Sequence, residues 1–371
     1  MARKWRLRGR DVLAALVAAG AALGFLMAAV VAVEAWRRGS PMLLRWGLGE
    51  LAATMVPSAL LPESVVAGNQ QCRRVLAAAN LSATPVLPTE VPVLDLTRGL
   101  PADAGAVDLS RPLLLRGALA GSPAAERWNL DWLAESPRGD IEIDYYSDAR
   151  TPAIEGGTIP DARGRLAEVV GLVKAGAPVK AGTELLFRQF PSLLAELPLE
   201  LLHELFGSGH FSPRRMGTLL TAPIFLAQGK PEAKETESSS RTTARTDLHC
   251  EPIANVALQI TGRKRWTIVD PANSFALQPA LSPDGRAYVF ADLDPDSHHL
   301  VRIPRFEVVL GPGEALYLPT WWWHRVDYLG EASFTASLFH FRPGQMIRNN
   351  PIFTAVLVPN LFKELVGWKT Q

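Results

Sequence analysis

The chain has 371 residues, 48% of them hydrophobic, and a formal net charge of +1. This length allows one large domain or two small ones with a buried core, and a net charge so close to zero excludes a global attraction to nucleic acid. The two cysteines, Cys72 and Cys250, exclude a disulfide framework. We therefore expect no nucleic-acid partner, and we expect Cys250 to be a small buried side chain.

The N-terminal segment has the pattern of a membrane anchor. Residues 1–11 are rich in Arg and Lys, and residues 12–33 form an uncharged apolar run that is long enough, as a helix, to span ~30 Å of hydrocarbon. Because the denser basic cluster precedes the run, the positive-inside rule predicts a cytosolic tail over 1–11 and a signal anchor over 12–33. This interpretation places the rest of a single-pass protein in the lumen of the endoplasmic reticulum or Golgi.

The alternative for this segment is a cleaved signal or an organellar transit peptide, which would give a secreted or organelle-targeted protein. A cleaved signal usually has a shorter apolar core, of about 7–15 residues. A glycosylation sequence at Asn80-Leu81-Ser82 agrees with a lumenal location.

Residues 34–89 are predicted to be a stem that links the anchor to the folded domain. The stretch 39–70 mixes Pro, Gly and apolar residues without a clear period, and Arg45 and Glu50 argue against a second membrane span. A short helix followed by a proline-rich loop is expected over 71–89.

Short strands and helices are predicted between residues 90 and 227, from apolar runs, alternation and helix-stop signals. The predicted strands cover 91–96, 113–115, 141–145 and 218–227, and the predicted helices cover 128–134, 166–173 and 191–206. The polar residues 229–245 are predicted to form a surface loop, with a lid at the mouth of a site as the alternative.

The segment Thr246-Asp247-Leu248-His249-Cys250-Glu251 has the pattern of half a metal site. On a strand, His249 and Glu251 are two residues apart, so both side chains leave the same face. His324 opens a late strand after a Pro-Gly-Glu turn and supplies a second imidazole. Two imidazoles and a carboxylate make the 2-His-1-carboxylate triad, which holds Fe(II) and leaves the opposite positions open. A lone His-x-Glu is more often a solvated strand, and the strand context of both histidines favours the metal site.

The residues between these ligands are predicted to complete a sheet. Residues 255–260 alternate, with the face of Asn255 and Gln259 predicted to point toward the pocket, and Gly262 is predicted to turn the chain into a strand over 264–269. Residues 271–305 are predicted to be a long solvated insert. Its series of aspartates from Asp292 lacks the glycine and glutamate that a calcium loop needs.

The last part of the chain is predicted to hold the remaining strands and a helical end. The strands are predicted at 306–310, 315–318, 323–328 and 333–341. The three consecutive tryptophans, 321–323, are predicted to pack around His324, with an aromatic substrate platform as the alternative. Residues 346–371 have a helical pattern that is interrupted at Pro359.

These motifs resemble those of the JmjC/cupin-type Fe(II)- and 2-oxoglutarate-dependent oxygenases, in particular the small JmjC protein hydroxylases such as the asparaginyl hydroxylase that acts on a hypoxia-inducible factor. The resemblance covers roughly residues 90–345, and it includes the offsets of Thr246, Asn255 and Lys264 from His249. It implies an all-β core with flanking helices, arranged as a double-stranded β-helix (a cupin-like jelly roll). It also implies that Lys264 and Thr246 hold the far carboxylate of 2-oxoglutarate and that Asn255 lies beside this co-substrate.

The resemblance further implies that 2-oxoglutarate and O₂ are consumed, with succinate as a product, while a C–H bond of a protein or peptide side chain is hydroxylated. Glu251 departs from the hydroxylases, which usually carry Asp there, and matches related JmjC demethylases. A JmjC-type lysine demethylase and a catalytically inactive jelly-roll binding protein are therefore the alternatives. A homodimer through C-terminal helices is a further expectation, because related hydroxylases pair in this way.

Overall fold

A computed structural model describes residues 9–56, 60–101, 107–149, 159–206, 218–229, 244–282, 286–293 and 299–365. The chain divides into two units, residues 1–78 with 350–371, and residues 79–349. The helices are α1 (Gly9–Arg37), α2 (Pro41–Met55), α3 (Glu63–Asn80), α4 (Pro123–Arg127), α5 (Leu130–Ala134), α6 (Leu166–Lys174), α7 (Leu185–Gln189), α8 (Leu199–Phe206), α9 (Pro343–Asn349) and α10 (Pro351–Leu365). Shorter 3₁₀ turns cover Arg138–Asp140, Pro191–Glu196, Pro271–Leu277 and Leu300–Arg302.

The strands lie in the second unit. They are β1 (Thr89–Glu90), β2 (Val93–Asp95), β3 (Leu113–Arg116), β4 (Glu142–Tyr146), β5 (Ala162–Arg165), β6 (Lys180–Thr183), β7 (Thr218–Thr221), β8 (Ile224–Gln228), β9 (Arg245–Cys250), β10 (Ala254–Val269), β11 (Pro279–Leu281), β12 (Val289–Ala291), β13 (Phe306–Leu310), β14 (Ala315–Leu318) and β15 (Trp323–Phe341).

The first unit is helical. Within α1, the stretch Gly20–Arg37 is long and apolar enough to cross a membrane, by length and composition. Where the sequence predicts no regular element over 39–70, the structure has α2 and the beginning of α3. Helix α2 begins because the Ser40 side chain accepts a hydrogen bond from the Leu43 amide at 3.2 Å, with Pro41 at its first position. Helix α10 continues through Pro359, so the predicted interruption there is wrong.

The second unit is built around two long antiparallel strands, β10 and β15, which pair from Ala254↔His340 to Val269↔Trp323. The main strand order is β2-β3-β14-β10-β15-β8-β6-β4-β5, and β9 pairs with β12 and β15 off this path. Two strands with a turn at Gly262 are predicted for 255–269, but the structure has one bent strand with bulges. Gly262 has φ +72°, and a Cβ there would lie 2.2 Å from the Ala332 carbonyl oxygen, so only glycine fits the bend.

The two faces of β10 belong to different cores. Val256 and Leu258 pack with Phe334 and with residues of the flanking helices. Ala257, on the opposite face, belongs to a second cluster with Trp266 and Tyr328, which forms the wall of the site. The prediction that the small, polar face of this strand points toward the pocket therefore agrees with the packing.

Three predicted elements differ from the observed ones, two of them because of proline. The helix predicted over 191–206 is a 3₁₀ turn followed by α8, since the residue before Pro198 resists helical geometry. The strand predicted over 218–227 is split into β7 and β8 around Pro223. The insert 271–305, predicted to be a solvated loop, contains β11 and β12. Part of the polar segment 229–245, residues 230–243, lies outside the described residues.

Candidate metal centre

The three predicted metal ligands come from two neighbouring strands. His249 lies on β9, Glu251 follows that strand directly, and His324 is the second residue of β15, where it pairs with His249 across the ladder. The two imidazole centroids are 4.2 Å apart, and His249 Nε2 lies 3.8 Å from Glu251 Oε1. One ligand atom from each of the three residues falls within 4.8 Å of the others. The structure thus brings together a donor set that suits a divalent metal.

Backbone carbonyls orient both imidazoles. The Nδ1 atom of His249 lies 2.7 Å from the Asp247 carbonyl oxygen, and the Nδ1 atom of His324 lies 3.1 Å from that of Trp322. A carbonyl only accepts hydrogen bonds, so each Nδ1 carries the proton and each Nε2 keeps its lone pair. This is the tautomer and the orientation that a metal-ligating histidine needs.

The electrostatics of the cluster also suit a cation. Burial, together with the nearby His249, lowers the pKa of His324 to about 4, so this imidazole is neutral at physiological pH. Burial alone would raise the pKa of Glu251, but its interactions with His249, His324 and Arg286 lower this pKa below its ordinary value. The carboxylate is therefore charged, and it lies beside a neutral imidazole.

The three tryptophans are buried, as their predicted packing role requires. Trp321 Nε1 donates to the Met346 carbonyl oxygen and Trp323 Nε1 donates to Ser274 Oγ, both at 2.9 Å. The Trp321 backbone amide donates to the Glu251 carbonyl oxygen at 2.9 Å, which ties the turn before His324 to the segment of the other ligands. All three rings are buried, and the indole nitrogens of Trp321 and Trp323 are bonded inside the fold, so these rings support the site rather than offering a platform to a substrate.

One wall of the site was not predicted. Strand β12 pairs with β9, and Phe290 stands opposite His249 with ring centroids 5.8 Å apart. Tyr288 approaches the same imidazole edge-on at 6.3 Å, and the Arg286 guanidinium lies 5.3 Å over the Tyr288 ring. The available signal was the alternation over 287–291, in which Ala287, Val289 and Ala291 are buried. The charged residues on either side of this short run made the strand hard to recognise from the sequence.

Two of the three predicted co-substrate residues, Lys264 and Thr246, lie beside Tyr328, while Asn255 pairs with Leu318 and Phe339 further along β10. Lys264 pairs with Tyr328 across the β10–β15 ladder, is 2% exposed, and places its ammonium 4.6 Å over the Tyr328 ring. The side chains of Thr246 and Tyr328 share a hydrogen bond, and burial raises the pKa of Tyr328 to about 12. Asn255 is buried, and its Oδ1 accepts no hydrogen bond within the part of the chain that the structure describes.

The Lys264 ammonium is a buried cation without an acidic partner among the described residues. Burial and the nearby charge of Lys180 lower the pKa of Lys264 to about 7. A buried ammonium is costly unless an anion accompanies it, so this lysine has the surroundings of an anion-binding residue. The prediction that it points into the barrel, not into solvent, agrees with the structure.

Residues 102–345 match the family described as the cupin-like domain. HSPB1-associated protein 1 of Rattus norvegicus is 33% identical over 93 residues, which cover 23% of this chain and 19% of that protein. Jumonji C domain-containing protein 5 of Drosophila melanogaster is 34% identical over 84 residues, 21% of each chain. Lysine-specific demethylase 8 of Xenopus tropicalis is 32% identical over 98 residues, which cover 25% of this chain and 21% of that protein.

The chain thus spans about a fifth of the length of the curated relatives that it matches. The family match, in contrast, covers well over half of the chain, from 102 to 345. It confirms the predicted fold class, a cupin-like β core with flanking helices. This chain belongs to the cupin-like family and is a JmjC-type, oxygenase-like protein.

Proposed function

We propose that this protein is a membrane-anchored Fe(II)- and 2-oxoglutarate-dependent oxygenase that hydroxylates a side chain of a protein or peptide. The observation that carries the proposal is the combination of a 2-His-1-carboxylate cluster at β9 and β15 with a buried lysine on β10, the strand that pairs with β15. This lysine has no acidic partner in the part of the chain that the structure describes. A metal site alone would suit many functions. The lysine adds a place for the far end of a short dicarboxylate.

The spacing of the two features suits a co-substrate of this size. His324 and Tyr328 alternate onto one face of β15 and are roughly 13 Å apart along the strand. Their partners on β10 are Ile268 and Lys264. An interval of this length would suit a five-carbon acid held between the metal ligands and the lysine. Its keto-acid end would face the metal ligands and its far carboxylate would face Lys264.

In this arrangement each residue has a defined task. His249, Glu251 and His324 would hold the metal and leave the opposite coordination positions open. Fe(II) bound there supplies the redox chemistry by which O₂ and 2-oxoglutarate give succinate, CO₂ and a hydroxylated product. Lys264 would bind the far carboxylate by a charge-assisted hydrogen bond, aided by Thr246, and the Asn255 amide would lie beside the acid. The aromatic rings around the site keep water out.

Tyr288 and Phe290 flank His249 on one side of the metal cluster. A peptide side chain that enters along this wall would meet aromatic surfaces and the Arg286 guanidinium. These residues suit an extended polypeptide better than a small apolar compound, because they offer hydrogen bonds and charge as well as apolar contact.

The helix α1 supports the anchoring part of the proposal, because its Gly20–Arg37 stretch meets the length and composition of a membrane span. We place the catalytic unit on the lumenal side, since the denser basic cluster precedes the span. The Asn80 side chain of the glycosylation sequence is exposed at the end of α3, where a glycan can be attached.

A lysine demethylase is the second candidate. Glu251 stands where demethylases of the resembling family carry Glu, and one similar protein is named lysine-specific demethylase 8. Both reactions begin with hydroxylation of a C–H bond. They differ in the bond that is attacked, since a methyl group on nitrogen is lost after hydroxylation and a carbon side chain keeps the oxygen.

The test is turnover of 2-oxoglutarate by the full chain in detergent, with Fe(II) and O₂. We expect succinate to form, and we expect formation to stop when Fe(II) is removed or His324 is replaced by Ala. Mass spectrometry of candidate peptides then separates the two reactions, because hydroxylation adds one oxygen and demethylation removes a methylene. Absence of metal-dependent binding and turnover of 2-oxoglutarate would leave the binding-protein alternative.

A further inference from the structure

We propose that Lys180 on β6 is a second cation for the far carboxylate of the co-substrate, so that the acid is held between two lysines. The inference rests on the proposed function and deepens it. Neither the spacing from His249 nor the residues that carry the family resemblance point to Lys180. Lys180 is identified instead by its position on β6 and by the contacts that this position allows.

The strand ladder brings Lys180 to the site from the side opposite Lys264. Lys180 pairs with Ala227 of β8, and Ala227 pairs with Ser333 of β15, the strand that also carries Tyr328. The Lys180 ammonium donates to the Arg245 carbonyl oxygen at 3.1 Å, directly before Thr246 on β9. It therefore reaches across from β6 to the strand that carries Thr246.

Aromatic rings surround both ammonium groups. The Lys180 Nζ lies 4.5 Å from the centroid of the Tyr146 ring, and the Lys264 Nζ lies 4.6 Å from that of Tyr328 and 5.8 Å from that of Phe225. These rings fix the direction of the lysines without neutralising them, because a cation–π contact leaves the charge in place. Both ammonium groups thus remain available to an anion.

The charges around the two lysines do not balance. Lys180 acts on Lys264, and Arg245 acts on Lys180, while Asp247 is the acid among the described residues whose charge acts on Lys180. Arg245 already engages Asp247, with Nε 2.8 Å from Oδ1. Burial is the main cause that lowers the pKa of Lys180 to about 8, with Asp247 opposing and Arg245 adding to the effect, and Lys180 in turn lowers the pKa of Lys264. Like charges in a buried region are unfavourable until an anion joins them.

A carboxylate has enough acceptor capacity for two such lysines. Its two oxygens offer about four lone-pair positions, and a lysine ammonium is a donor with no acceptor capacity. One oxygen can accept from Lys264 and Thr246 while the other accepts from Lys180. The pair would then select for a charged far end, so 2-oxo acids without the second carboxylate would bind poorly.

The alternative is that Lys180 only fastens β6 to β9 through the Arg245 carbonyl. The experiment separates the two roles by comparing 2-oxoglutarate with 2-oxopentanoate, which has the same chain length and keto-acid end but no far carboxylate. Calorimetry with the full chain in detergent, loaded with Mn(II), measures both dissociation constants without turnover. The proteins are the parent, Lys180→Met, Lys180→Arg, Lys264→Met and Lys174→Met, the last as a control that removes an exposed lysine at the end of α6.

We expect Lys180→Met to weaken 2-oxoglutarate roughly tenfold, at the lower end of what a charge-assisted hydrogen bond contributes, and to leave 2-oxopentanoate unchanged. Lys180→Arg should recover part of the loss, and Lys174→Met should match the parent. Equal weakening of both acids by Lys180→Met would overturn the proposal in favour of a structural role, and so would no weakening of either.

The parent and Lys264→Met show which idea has failed. A parent that binds no 2-oxoglutarate would refute the proposed function itself. A parent that binds it, with discrimination lost in Lys264→Met but kept in Lys180→Met, would refute only the second cation. Thermal melting of each variant, with Lys180→Arg as the conservative substitution, identifies a loss of binding that follows from misfolding.

Discussion

Two sets of buried polar side chains on β10 differ in how fully they are bonded. Gln259 is bonded at both ends of its amide, since Nε2 donates to the Thr261 carbonyl oxygen at 2.6 Å and to Ser333 Oγ at 2.9 Å, and Oε1 accepts from Thr335 Oγ1 at 3.0 Å. Asn255 and Lys264 lie on the same strand and are equally buried, but the Asn255 oxygen accepts no bond and Lys264 has no acid within the described residues.

The difference separates structure from function within one strand. A closed network such as that of Gln259 stabilises and specifies the fold, because every polar atom that has left water has a partner. An open set costs stability in the free protein and becomes favourable only when a ligand supplies the missing groups. Bonding state therefore indicates which buried polar residues of this barrel belong to a ligand site, and substitutions at either set test that distinction.

The largest effect is expected at the metal ligands, which lie on the neighbouring strands β9 and β15. His249→Ala and His324→Ala each remove one of three ligands, and they should abolish stoichiometric metal binding and turnover while the fold survives. Metal content after gel filtration measures metal binding, and far-ultraviolet circular dichroism measures whether the fold survives. Variants that keep Fe(II) as tightly as the parent would show that the triad is not the metal site.

Replacing one residue of each set by methionine should have opposite effects on the stability of the protein and different effects on co-substrate affinity. Lys264→Met should weaken 2-oxoglutarate by about one to two decades and should stabilise the free protein by about 1–4 kcal/mol at pH 7, because an unpaired buried charge is removed. Gln259→Met should leave the affinity unchanged and destabilise the protein by about 1–3 kcal/mol, since Ser333 and Thr335 lose their partner. Calorimetry and denaturant unfolding measure the two quantities.

The stability gain in Lys264→Met should also depend on pH in a defined direction. The folded pKa of Lys264, about 7, is below its ordinary value of 10.5, so between these values the unfolded chain binds the proton that the folded chain has lost. The stability of the parent should therefore rise with pH across this window, and the advantage of Lys264→Met should shrink. An advantage of constant size from pH 7 to pH 10 would contradict the buried-lysine assignment.

Most residues of the proposed metal and co-substrate site, but not all of them, could be predicted from the sequence. His249, Glu251, His324, Thr246, Asn255 and Lys264 have fixed offsets or lie at strand starts, and short-range spacing on a strand determines the face that a side chain occupies. Lys180 has no such relation, because it meets Arg245 only through pairing of β6 with β8 and of β9 with β15. Contacts of this range depend on sheet order, which a local pattern does not encode.

The strands of the fold could likewise be predicted where a local pattern indicated them, and not where they depend on pairing between distant segments. Alternation predicted the strand near 142–146, where Ile143 is buried between exposed residues. An apolar run predicted the strand at 315–318, in which all four residues are buried. These patterns did not predict β12, whose few residues are flanked by charged ones, nor the division of the early core strand at Pro223. Local patterns therefore located the ligands, while the β12 wall around them depended on the register of β12 with β9.

The pH dependence of co-substrate binding gives an intermediate effect. With pKa values of about 7 for Lys264 and about 8 for Lys180, the empty site loses protons as the pH rises from 7 to 9. An anion restores both charges, so binding of 2-oxoglutarate should take up protons and weaken by up to tenfold per pH unit for each proton. Asp247, Arg245, Tyr146 and Tyr328 also face this region, and Tyr328, with a pKa of about 12, stays neutral.

Calorimetry at pH 8 in buffers of different ionisation enthalpy measures this proton uptake directly. The uptake should fall in Lys264→Met, and 2-oxopentanoate should show none with the parent. Binding of 2-oxoglutarate that is unchanged between pH 7 and pH 9 would show that neither lysine holds the acid.

The smallest effect is expected at Thr246, which lies on β9 and combines a bond inside the protein with a predicted bond to the co-substrate. Its hydroxyl already shares a hydrogen bond with Tyr328, yet it is predicted to serve the far carboxylate as well. A hydroxyl can donate one bond and accept others, and the bond it would give to the acid is weaker than the one from a lysine. Thr246→Val should therefore weaken 2-oxoglutarate binding only about threefold to tenfold.

The matched control is Tyr328→Phe, which removes the other partner of the hydrogen bond between Thr246 and Tyr328. If Thr246 serves the acid, this second variant should keep the affinity, because the Thr246 hydroxyl is then free to donate. If the pair is purely structural, the two variants should lower the melting temperature alike and leave 2-oxoglutarate binding unchanged, and Thr246 would belong with Gln259 instead of Lys264.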